Sequence, residues 1–292
     1  MKIILYGHRG WIGQQFIEIL KKQDINYVLG KKRTEDPDLE EEILESKCTH
    51  VLSTIGRTHG EYKGKPYTTI DYLEQSGKLV ENIRDNLYGP LCLVYITKKH
   101  NLHFTYLGTG CIFEYDNEHT LQNSIGFTEE SKPTFFGSSY SIVKGFTDQL
   151  MKHYNNVLNL RIRMPITGKP NPRNFITKIT TYEKICSISN SMTVLDSLLP
   201  VAVNMMTNSL TGTINLTNPG SISHNEILKL YREIVDPNFT WKNFSIEEQA
   251  KILASARSNN LLDTSYLESL YNIKPIYEAV RQVLYNYKSF VI

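Results

Sequence analysis

The chain has 292 residues and a formal net charge of +2, so it can bury a large core, and no block of like charge indicates nucleic acid as a partner. Hydrophobic residues make up 40% of the sequence. No apolar run approaches the roughly 18–20 residues that a membrane span needs, so we expect no membrane partner. The four cysteines are widely spaced, and no Cys/His cluster has metal-ligand spacing. We therefore expect free thiols, a cytoplasmic location and no metal ion.

Strand and helix patterns alternate through the first half of the chain. The first strand, "KIILY", is a continuous apolar run of the kind that is buried on both faces, and apolar residues at helical spacing follow it from Trp11 onwards. This alternation predicts an α/β fold, with a Rossmann-type doubly wound parallel sheet wrapped by helices. Further strands are predicted at residues 27–30, 50–56 and 103–110.

Later elements are less regular. A long helix is predicted from about Tyr72 to His100, with a break at Gly89-Pro90 because proline cannot donate a backbone hydrogen bond. The segment "MTVL" (residues 192–195) is interpreted as a strand, with Asp196 capping the next helix. Two later helices are predicted to begin with capping boxes, which are Ser223 with Glu226 and Ser245 with Glu248.

These elements suggest two domains. We assign residues 1–163 to a nucleotide-binding core, with a returning segment at about 192–217. Residues 164–292 are assigned mainly to a smaller, discontinuous C-terminal substrate lobe.

Three glycines stand between the first strand and the first helix in the pattern G-x-x-G-x-x-G. Glycines let the backbone turn tightly and let a pyrophosphate approach the helix N-terminus, whose N–H groups favour anions. The position of the motif therefore predicts a dinucleotide site. Its predicted residues are Gly7, Arg9, Gly10, Trp11, Ile12 and Gly13.

Basic residues follow the second strand, where dinucleotide enzymes distinguish their cofactors. An NAD site usually has Asp or Glu there for the ribose hydroxyls, whereas an NADP site has Arg or Lys for the 2′-phosphate. This chain has Lys31 and Arg33, and Arg9 of the glycine loop can reach the same phosphate. The sequence therefore favours NADPH, with NADH as the weaker alternative.

Two further segments carry groups suited to proton transfer. In "SSYSIVKG", Tyr140 and Lys144 lie four residues apart and share a helix face. An ammonium beside a phenol favours the phenolate, which makes the tyrosine a usable proton donor near neutral pH. In "LGTGCIFEYD", Thr109 and Cys111 lie two residues apart at a strand end, so in extended geometry they share a face.

Together these residues resemble an extended short-chain dehydrogenase/reductase, in which a Ser or Thr at a strand end, here Thr109, joins the Tyr and the Lys. The resemblance narrows to the bifunctional nucleotide-sugar 3,5-epimerase/4-reductases that make UDP-rhamnose, with the dTDP-4-dehydrorhamnose reductases as more distant relatives. It extends from the first strand to near the C-terminus. The segments that carry it include "YGHRGWIG", "GTGCIFEYD", "IGFTEESKPTFFGSSYS", "NPRNFITKI", "LTNPGSISHNEIL", "FSIEEQAK" and "RSNN".

This resemblance implies a two-stage reaction on UDP-4-keto-6-deoxyglucose. The C4 ketone acidifies the protons at C3 and C5, and by resemblance Cys111 is the base and Lys178 the acid of both epimerisations. NADPH then reduces C4 with Thr109, Tyr140 and Lys144 as the catalytic triad. The enolate of the first stage and the alkoxide of the second carry charge on the same C4 oxygen, so Tyr140 and Thr109 can stabilise both.

The same resemblance implies further contacts and partners. Arg257 is expected to bind the substrate diphosphate, because guanidinium groups suit phosphate oxygens, and Asn174 and Glu114 are expected to contact the substrate. A homodimer is expected through the helices that follow residues 72 and 138. A separate 4,6-dehydratase is expected to supply the keto sugar.

Two other functions remain open. A 4-reductase acting alone on UDP- or dTDP-4-dehydrorhamnose needs neither Cys111 nor Lys178. A non-catalytic regulatory subunit of the same fold predicts loss of Thr109, Tyr140 or Lys144. All five residues are present, which favours the bifunctional enzyme. UDP and dTDP sugars are both compatible with the sequence.

Overall fold

The structure is a computed structural model and describes residues 1–291. The chain forms two compact units. The predicted boundary at residue 163 differs from them, because residues 110–138 belong to unit 2. Unit 1 consists of Met1–Thr109, Ser139–Arg161 and Leu199–Ile214, and unit 2 of Gly110–Ser138, Ile162–Leu198 and the residues from Asn215 onwards. Assignment of the cofactor to the first domain and the substrate to the second stays a prediction.

The secondary structure comprises strands and helices that we number in chain order. The strands are β1 (Lys2–Tyr6), β2 (Asn26–Leu29), β3 (His50–Ser53), β4 (Gly60–Tyr62), β5 (Lys65–Tyr67), β6 (His103–Thr109), β7 (Val157–Ile162), β8 (Lys184–Ile185), β9 (Gly212–Asn215) and β10 (Lys242–Asn243). The helices are α1 (Trp11–Lys22), α2 (Leu39–Glu45), α3 (Leu79–Ile83), α4 (Gly89–Lys99), α5 (Ser139–Met151), α6 (Phe175–Ile179), α7 (Leu195–Thr207), α8 (His224–Ile234), α9 (Ile246–Ala250), α10 (Ser265–Leu270) and α11 (Ile276–Val291).

Unit 1 is built on a six-stranded sheet of order β2-β1-β3-β6-β7-β9. The pairs β1/β2, β1/β3 and β3/β6 are parallel, which confirms the predicted parallel α/β sheet. Every residue of β3 and β7 is buried, as expected of strands covered on both faces. The strand order reverses at β1, so the carboxyl ends of β1 and β3 flank the kind of crevice where α/β proteins bind ligands.

A buried ion pair fixes α5 to this sheet. The guanidinium of Arg161 on β7 donates from Nε and Nη2 to the two carboxylate oxygens of Asp148 on α5, over 2.8 and 2.7 Å. Asn159 adds a third hydrogen bond to Asp148, of 2.8 Å. The side chain of Arg161 is 0% exposed. Removing either partner would leave the other charge buried and unpaired, which would lower the free energy of unfolding by about 3–5 kcal/mol.

The helix before β6 differs from its prediction. It begins at Leu79 rather than near Tyr72, and it continues past Gly89-Pro90 without a break. A π-helical segment, Arg84–Tyr88, joins α3 to α4 immediately before the proline. The wider turn accommodates the proline ring and its missing N–H within a continuous helix.

The segment at residues 192–195 is not the strand that the sequence predicted. Val194 forms only an isolated bridge with Ile166, and α7 already begins at Leu195. The carboxylate of Asp196 accepts hydrogen bonds from Thr167 Oγ1 and Gly168 N–H, of 2.6 and 2.7 Å, instead of capping that helix. These contacts come from residues distant in sequence, which local patterns do not reveal.

Unit 2 has its own apolar core, to which α8 and α11 contribute buried residues such as Leu228 and Leu284. Both predicted capping boxes are confirmed, at Ser223 with Glu226 and at Ser245 with Glu248. Among residues 1–291, no helix combines the length and apolarity needed to cross a bilayer. The same described residues contain no group of three or more His, Cys, Asp or Glu side chains that could hold a metal ion.

Candidate active site

The backbone of the glycine loop in unit 1, residues 7–13, is packed closely against neighbouring atoms. Gly7 has a φ of +79°, and a Cβ there would lie 2.6 Å from Thr54 Oγ1 at the end of β3. A Cβ at Gly13 would overlap the carbonyl oxygen of Gly7. No side chain caps the first turn of α1, and that turn contains no acidic residue. This cradle, which any side chain would fill, fits the pyrophosphate of a dinucleotide.

The other predicted cofactor residues of the loop are Arg9, Trp11 and Ile12, and their contacts with a cofactor stay predictions. Arg9 is exposed, while Trp11 and Ile12 are half-buried and form the start of α1. Neighbouring His8 was not predicted, yet its Nδ1 atom is buried without a hydrogen-bond partner in the described part of the chain. Its buried nitrogen is a polar group of this loop that sequence patterns did not single out.

The turn after β2 is held by one carboxylate. Glu42 of α2 accepts hydrogen bonds from Tyr6 Oη (2.8 Å) and from the backbone N–H of Lys31 (2.7 Å). Burial, followed by the hydrogen bond to Glu42, raises the pKa of Tyr6 far above its ordinary value, so this phenol stays protonated and donates. The side chains of Lys31 and Arg33 are exposed, whereas Lys32 between them pairs with Asp38. Two of the three basic side chains therefore remain exposed for a 2′-phosphate.

The predicted triad of unit 1 comes from β6 and α5. Thr109 is the last residue of β6, and Tyr140 and Lys144 lie one turn apart on α5; all three are buried. The Lys144 ammonium donates to Tyr106 Oη and to the carbonyl oxygen of Leu107, the latter over 3.3 Å. Since α5 packs against β6, the tyrosine and the lysine are held on the side of the helix that faces the strand.

Tyr106 is a residue of this site that the sequence did not reveal, because its position in the strand reads as ordinary core. Lys144 Nζ lies 4.4 Å from the centroid of the Tyr106 ring. Burial raises the pKa of Tyr106 well above the usual value, and Tyr140 and Asp148 add to that increase. Tyr106 therefore stays a neutral phenol that accepts a hydrogen bond from Lys144, orienting the ammonium without neutralising it.

Cys111 belongs to unit 2 and is half-buried. Because β6 ends at Thr109 and Cys111 lies in the following turn, the argument that extended geometry places the two on one face does not hold. The turn is well fixed, since the N–H groups of Thr134 and Phe135 both donate to the carbonyl oxygen of Ile112 over 3.0 Å. The thiol is therefore carried by ordered backbone.

Lys178 lies on α6 of unit 2 in an environment that disfavours its charge. Burial, and then the positive charges of Arg173 and Arg257, lower the pKa of Lys178 to about 8. An ammonium with this pKa is charged at neutral pH and gives up its proton readily. The structure thus places Lys178, Arg173 and Arg257 within one region of positive charge in unit 2.

Asn174 serves first as the N-cap of α6. Its side-chain oxygen accepts from Ile176 N–H (3.1 Å), and its amide donates to the carbonyl oxygens of Thr167 (2.6 Å) and Lys169 (2.9 Å). All of its hydrogen-bonding groups are thus engaged within the protein, and the residue is fully buried. Asn174 positions the helix that carries Lys178; direct contact with substrate stays a prediction.

Glu114 and Arg257 line one pocket of unit 2, with a volume of about 440 Å³. The Arg257 guanidinium is oriented by hydrogen bonds from Nη1 to the carbonyl oxygen and hydroxyl of Ser255, of 3.0 and 2.6 Å. Apolar and aromatic side chains such as Leu253, Phe135 and Tyr115 form much of the remaining wall. An apolar pocket with one carboxylate and one guanidinium suits a nucleoside with an attached phosphate.

The chain is similar to characterised sugar-nucleotide enzymes. It is 56% identical to a protein of Acanthamoeba polyphaga mimivirus over 97% of this chain and 98% of that protein. The crystal structure of a UDP-rhamnose synthase of this virus, also 56% identical, matches with a TM-score of 0.93 over 98% of this chain and 99% of the other. No protein-family model matches the chain.

Relatives from Arabidopsis thaliana also match, among them the following two. A bifunctional dTDP-4-dehydrorhamnose 3,5-epimerase/dTDP-4-dehydrorhamnose reductase is 46% identical over 91% of this chain and 86% of its own length. A trifunctional UDP-glucose 4,6-dehydratase/UDP-4-keto-6-deoxy-D-glucose 3,5-epimerase/UDP-4-keto-L-rhamnose-reductase is 46% identical over 92% of this chain, but the match covers only 39% of that protein.

The exposed basic residues after β2 generate a test of cofactor choice. We expect the double substitution Lys31→Ala/Arg33→Ala to weaken NADPH binding at least about tenfold, because charge-assisted hydrogen bonds to a phosphate are lost, and to leave NADH binding unchanged. Lys32→Ala is the matched control, since Lys32 already pairs with Asp38. Fluorescence titration of both cofactors measures the dissociation constants. Equal losses for NADPH and NADH would contradict a 2′-phosphate contact.

Proposed function

The chain belongs to the nucleotide-sugar 3,5-epimerase/4-reductase family of rhamnose synthesis, and on that basis we propose that it converts UDP-4-keto-6-deoxyglucose to UDP-rhamnose with NADPH. The observation that carries this proposal is the presence of two sets of reactive groups. Thr109, Tyr140 and Lys144 suffice for a reductase, whereas Cys111 and Lys178 have a use only if protons at carbon are exchanged. A reductase acting alone leaves the second set unexplained.

In the epimerisation stage, Cys111 acts as the base. Its thiolate takes the proton from C5 or C3, and the electron pair of the broken C–H bond moves onto the C4 oxygen. Lys178 returns a proton to the opposite face of the carbon. Because the pKa of Lys178 is about 8, the ammonium donates readily and is re-protonated from solvent near neutral pH.

In the reduction stage, Tyr140 protonates the C4 oxygen. NADPH, when bound, supplies the hydride to C4. Lys144 stabilises the charge that develops on Tyr140 and is itself held by Tyr106. Thr109 donates a second hydrogen bond to the C4 oxygen, which carries negative charge in both stages, so the same two donors serve the enolate and the alkoxide.

For substrate binding we propose that Arg257 binds the diphosphate and that the pocket of Glu114 and Arg257 takes the nucleoside end. Arg173 and Lys178 add positive charge in the same unit. UDP is the proposed nucleotide because the viral relative is a UDP-rhamnose synthase; dTDP is the alternative, since one plant relative carries dTDP in its name. The keto sugar would come from a separate 4,6-dehydratase, an activity that the trifunctional plant relative holds within one chain.

We also propose a cytoplasmic homodimer. The four cysteines are free thiols, which suits a reducing compartment. In unit 1, α3 packs against α5, and large apolar side chains of both helices are exposed, among them Val80 at 71% and Phe146 at 61%. Leu79, Ile83 and Leu150 extend this apolar face. A second copy of the chain, presenting the same face, would cover it through a two-fold axis.

Incubation in D₂O with UDP-4-keto-6-deoxyglucose and NADPH tests the function. We expect NADPH oxidation and UDP-rhamnose with deuterium at C3 and C5, measured by absorbance and NMR. Cys111→Ala should slow deuterium incorporation by about 100-fold or more, because the base is lost. Cys186→Ala, in the same unit, is the control and should exchange normally.

Each alternative gives a different result in this experiment. NADPH oxidation to an unepimerised, undeuterated sugar would identify a reductase only. No turnover with either the UDP or the dTDP sugar would favour a regulatory subunit. Tyr140→Phe should lose reduction, because the proton donor to the C4 oxygen is removed, and should slow exchange less, because Thr109 still donates to the enolate oxygen.

The lowered pKa of Lys178 predicts a limb in the pH dependence. Lys178 is charged below its pKa and neutral above it, so an acid catalyst with a pKa of about 8 loses its proton as the pH rises through that value. We expect the rate of deuterium exchange to fall above about pH 8. Lys178→Arg should exchange at least about 100-fold more slowly, because a guanidinium keeps its proton. Lys184→Arg, an exposed lysine of the same unit, should keep the wild-type profile.

The proposed dimer is tested by placing a charge in the apolar face. Phe146→Arg is expected to convert a dimer to a monomer, because burying an unpaired guanidinium in an apolar interface is unfavourable. Phe290→Arg is the matched control, since Phe290 is similarly exposed at 57% but lies on α11 of unit 2. Light scattering coupled to size exclusion gives the mass. A monomeric wild type would contradict the proposal.

A further inference from the structure

Two arginines that are two residues apart, Arg161 and Arg163, are both buried, with exposures of 0% and 1%. They differ in how their charge is balanced. Arg161 has the carboxylate of Asp148 as its partner. Among residues 1–291, no carboxylate lies within ion-pair distance of Arg163, and its Nε has no hydrogen-bond partner. A buried cation without an anion is costly, so Arg163 requires an explanation that Arg161 does not.

Neutral oxygens surround the Arg163 guanidinium. Nη1 donates to the carbonyl oxygen of Gly110 (2.9 Å) and to Ser258 Oγ (3.0 Å). Nη2 donates to Asn190 Oδ1 (2.6 Å) and to the carbonyl oxygen of Ser258 (3.1 Å). These hydrogen bonds satisfy the Nη1 and Nη2 donors, but neutral oxygens do not balance the positive charge of the guanidinium.

This guanidinium lies directly beneath the turn that carries Cys111. A Cβ placed on Gly110 would lie 3.0 Å from both Cγ and Cδ of Arg163, so the Arg163 side chain packs tightly against the backbone of the turn at Gly110. Asn260 bonds the carbonyl oxygens of Gly110 (3.0 Å) and Phe113 (2.8 Å), and Ser258 Oγ donates to Phe113 as well (2.6 Å). The segments "GCIF" and "SNN" thus meet around Arg163, with Cys111 inside the clamped turn.

Burial lowers the pKa of Arg163, and the two acidic side chains near it, Cys111 and Tyr115, oppose that lowering. Burial itself raises the pKa of Tyr115, and the Tyr115 hydroxyl donates to the carbonyl oxygen of Ser189 over 3.0 Å. Tyr115 therefore remains a neutral phenol, which leaves the thiolate of Cys111 as the anion that the guanidinium can stabilise.

We propose that Arg163 is a positioning residue whose buried charge stabilises the thiolate of Cys111 and whose hydrogen bonds fix the turn that presents it. This inference rests on the proposed role of Cys111 as the epimerisation base. The thiol proton leaves to solvent, the thiolate is held by the guanidinium, and it then takes the proton from the sugar carbon. Because Arg163 is 1% exposed, it acts through Cys111 and not on the substrate.

Two substitutions separate the charge of Arg163 from its hydrogen bonds. Arg163→Lys keeps the positive charge but loses the planar guanidinium that donates in several directions. Arg163→Gln keeps amide donors but loses the charge. The readout is the rate at which iodoacetamide alkylates Cys111 at neutral pH, followed by peptide mass spectrometry, with Cys92 as the internal control. We expect Arg163→Gln to slow alkylation about tenfold and Arg163→Lys to stay within about threefold of wild type, because the thiolate is the nucleophile.

Deuterium exchange at C5 should follow the same order, while reduction of UDP-4-keto-rhamnose, which needs no thiolate, should remain within about twofold of wild type in both variants. Wild-type alkylation in Arg163→Gln would overturn the proposal. So would equal losses in the Lys and Gln variants, since these indicate a purely structural role.

If neither Arg163 variant folds, the wild-type protein alone still tests the proposal. Cys111 in the native protein should alkylate about tenfold faster than in the free peptide of residues 107–116, whereas slower alkylation would contradict thiolate stabilisation. A failure of the proposed function can be distinguished from a failure of this inference. If Cys111→Ala retains deuterium exchange, Cys111 is not the base, while the alkylation rates still decide whether Arg163 stabilises its thiolate.

Discussion

The buried ion pair between Asp148 and Arg161 is the constraint on which the catalytic helix of unit 1 depends. It ties the second half of α5 to β7, and at the other end of the helix the Glu74 carboxylate accepts from both N–H and Oγ of Ser139, over 2.8 Å each. Tyr140 and Lys144 lie between these two anchors. A helix held at both ends presents its side chains with little freedom, which is what proton transfer from a tyrosine requires.

The basic groups of unit 2 are in a different situation, because burial lowers the pKa values of Arg163, Arg173 and Lys178. The neighbouring charges of Arg173 and Arg257, together with burial, destabilise the ammonium of Lys178, so it parts with a proton near neutral pH. Arg163 instead keeps its charge, because guanidinium groups do not deprotonate in proteins. Positive charge thus has two proposed roles in unit 2: the charges of Arg173 and Arg257 make Lys178 a better acid, and the charge of Arg163 stabilises an anion at Cys111.

Sequence patterns predicted the features that depend on neighbours in the chain. The parallel strands, the glycine loop and both capping boxes are set by residues a few positions apart, and the pair Tyr140 and Lys144 needs only one helical turn. The patterns did not predict the π-helical segment before Pro90 or the loss of the strand at residues 192–195. They also missed Tyr106 and Arg163, since a buried phenol or guanidinium acquires a role only through residues brought together by folding.

Cys111 illustrates this limit from the other direction. The sequence shows the cysteine and its separation of two residues from Thr109. Because β6 ends at Thr109, however, the alternation of side chains along a strand does not predict where the thiol lies. A thiol becomes a better base when a positive charge stabilises its thiolate, and in the proposed arrangement that charge comes from Arg163, 52 positions away in the chain. A reductase has no need for a buried guanidinium beneath a cysteine that takes no part in hydride transfer. Among residues 1–291 Arg163 has no carboxylate partner, and in this proposal the cost of burying its charge is offset when Cys111 carries the negative charge that proton abstraction from carbon requires.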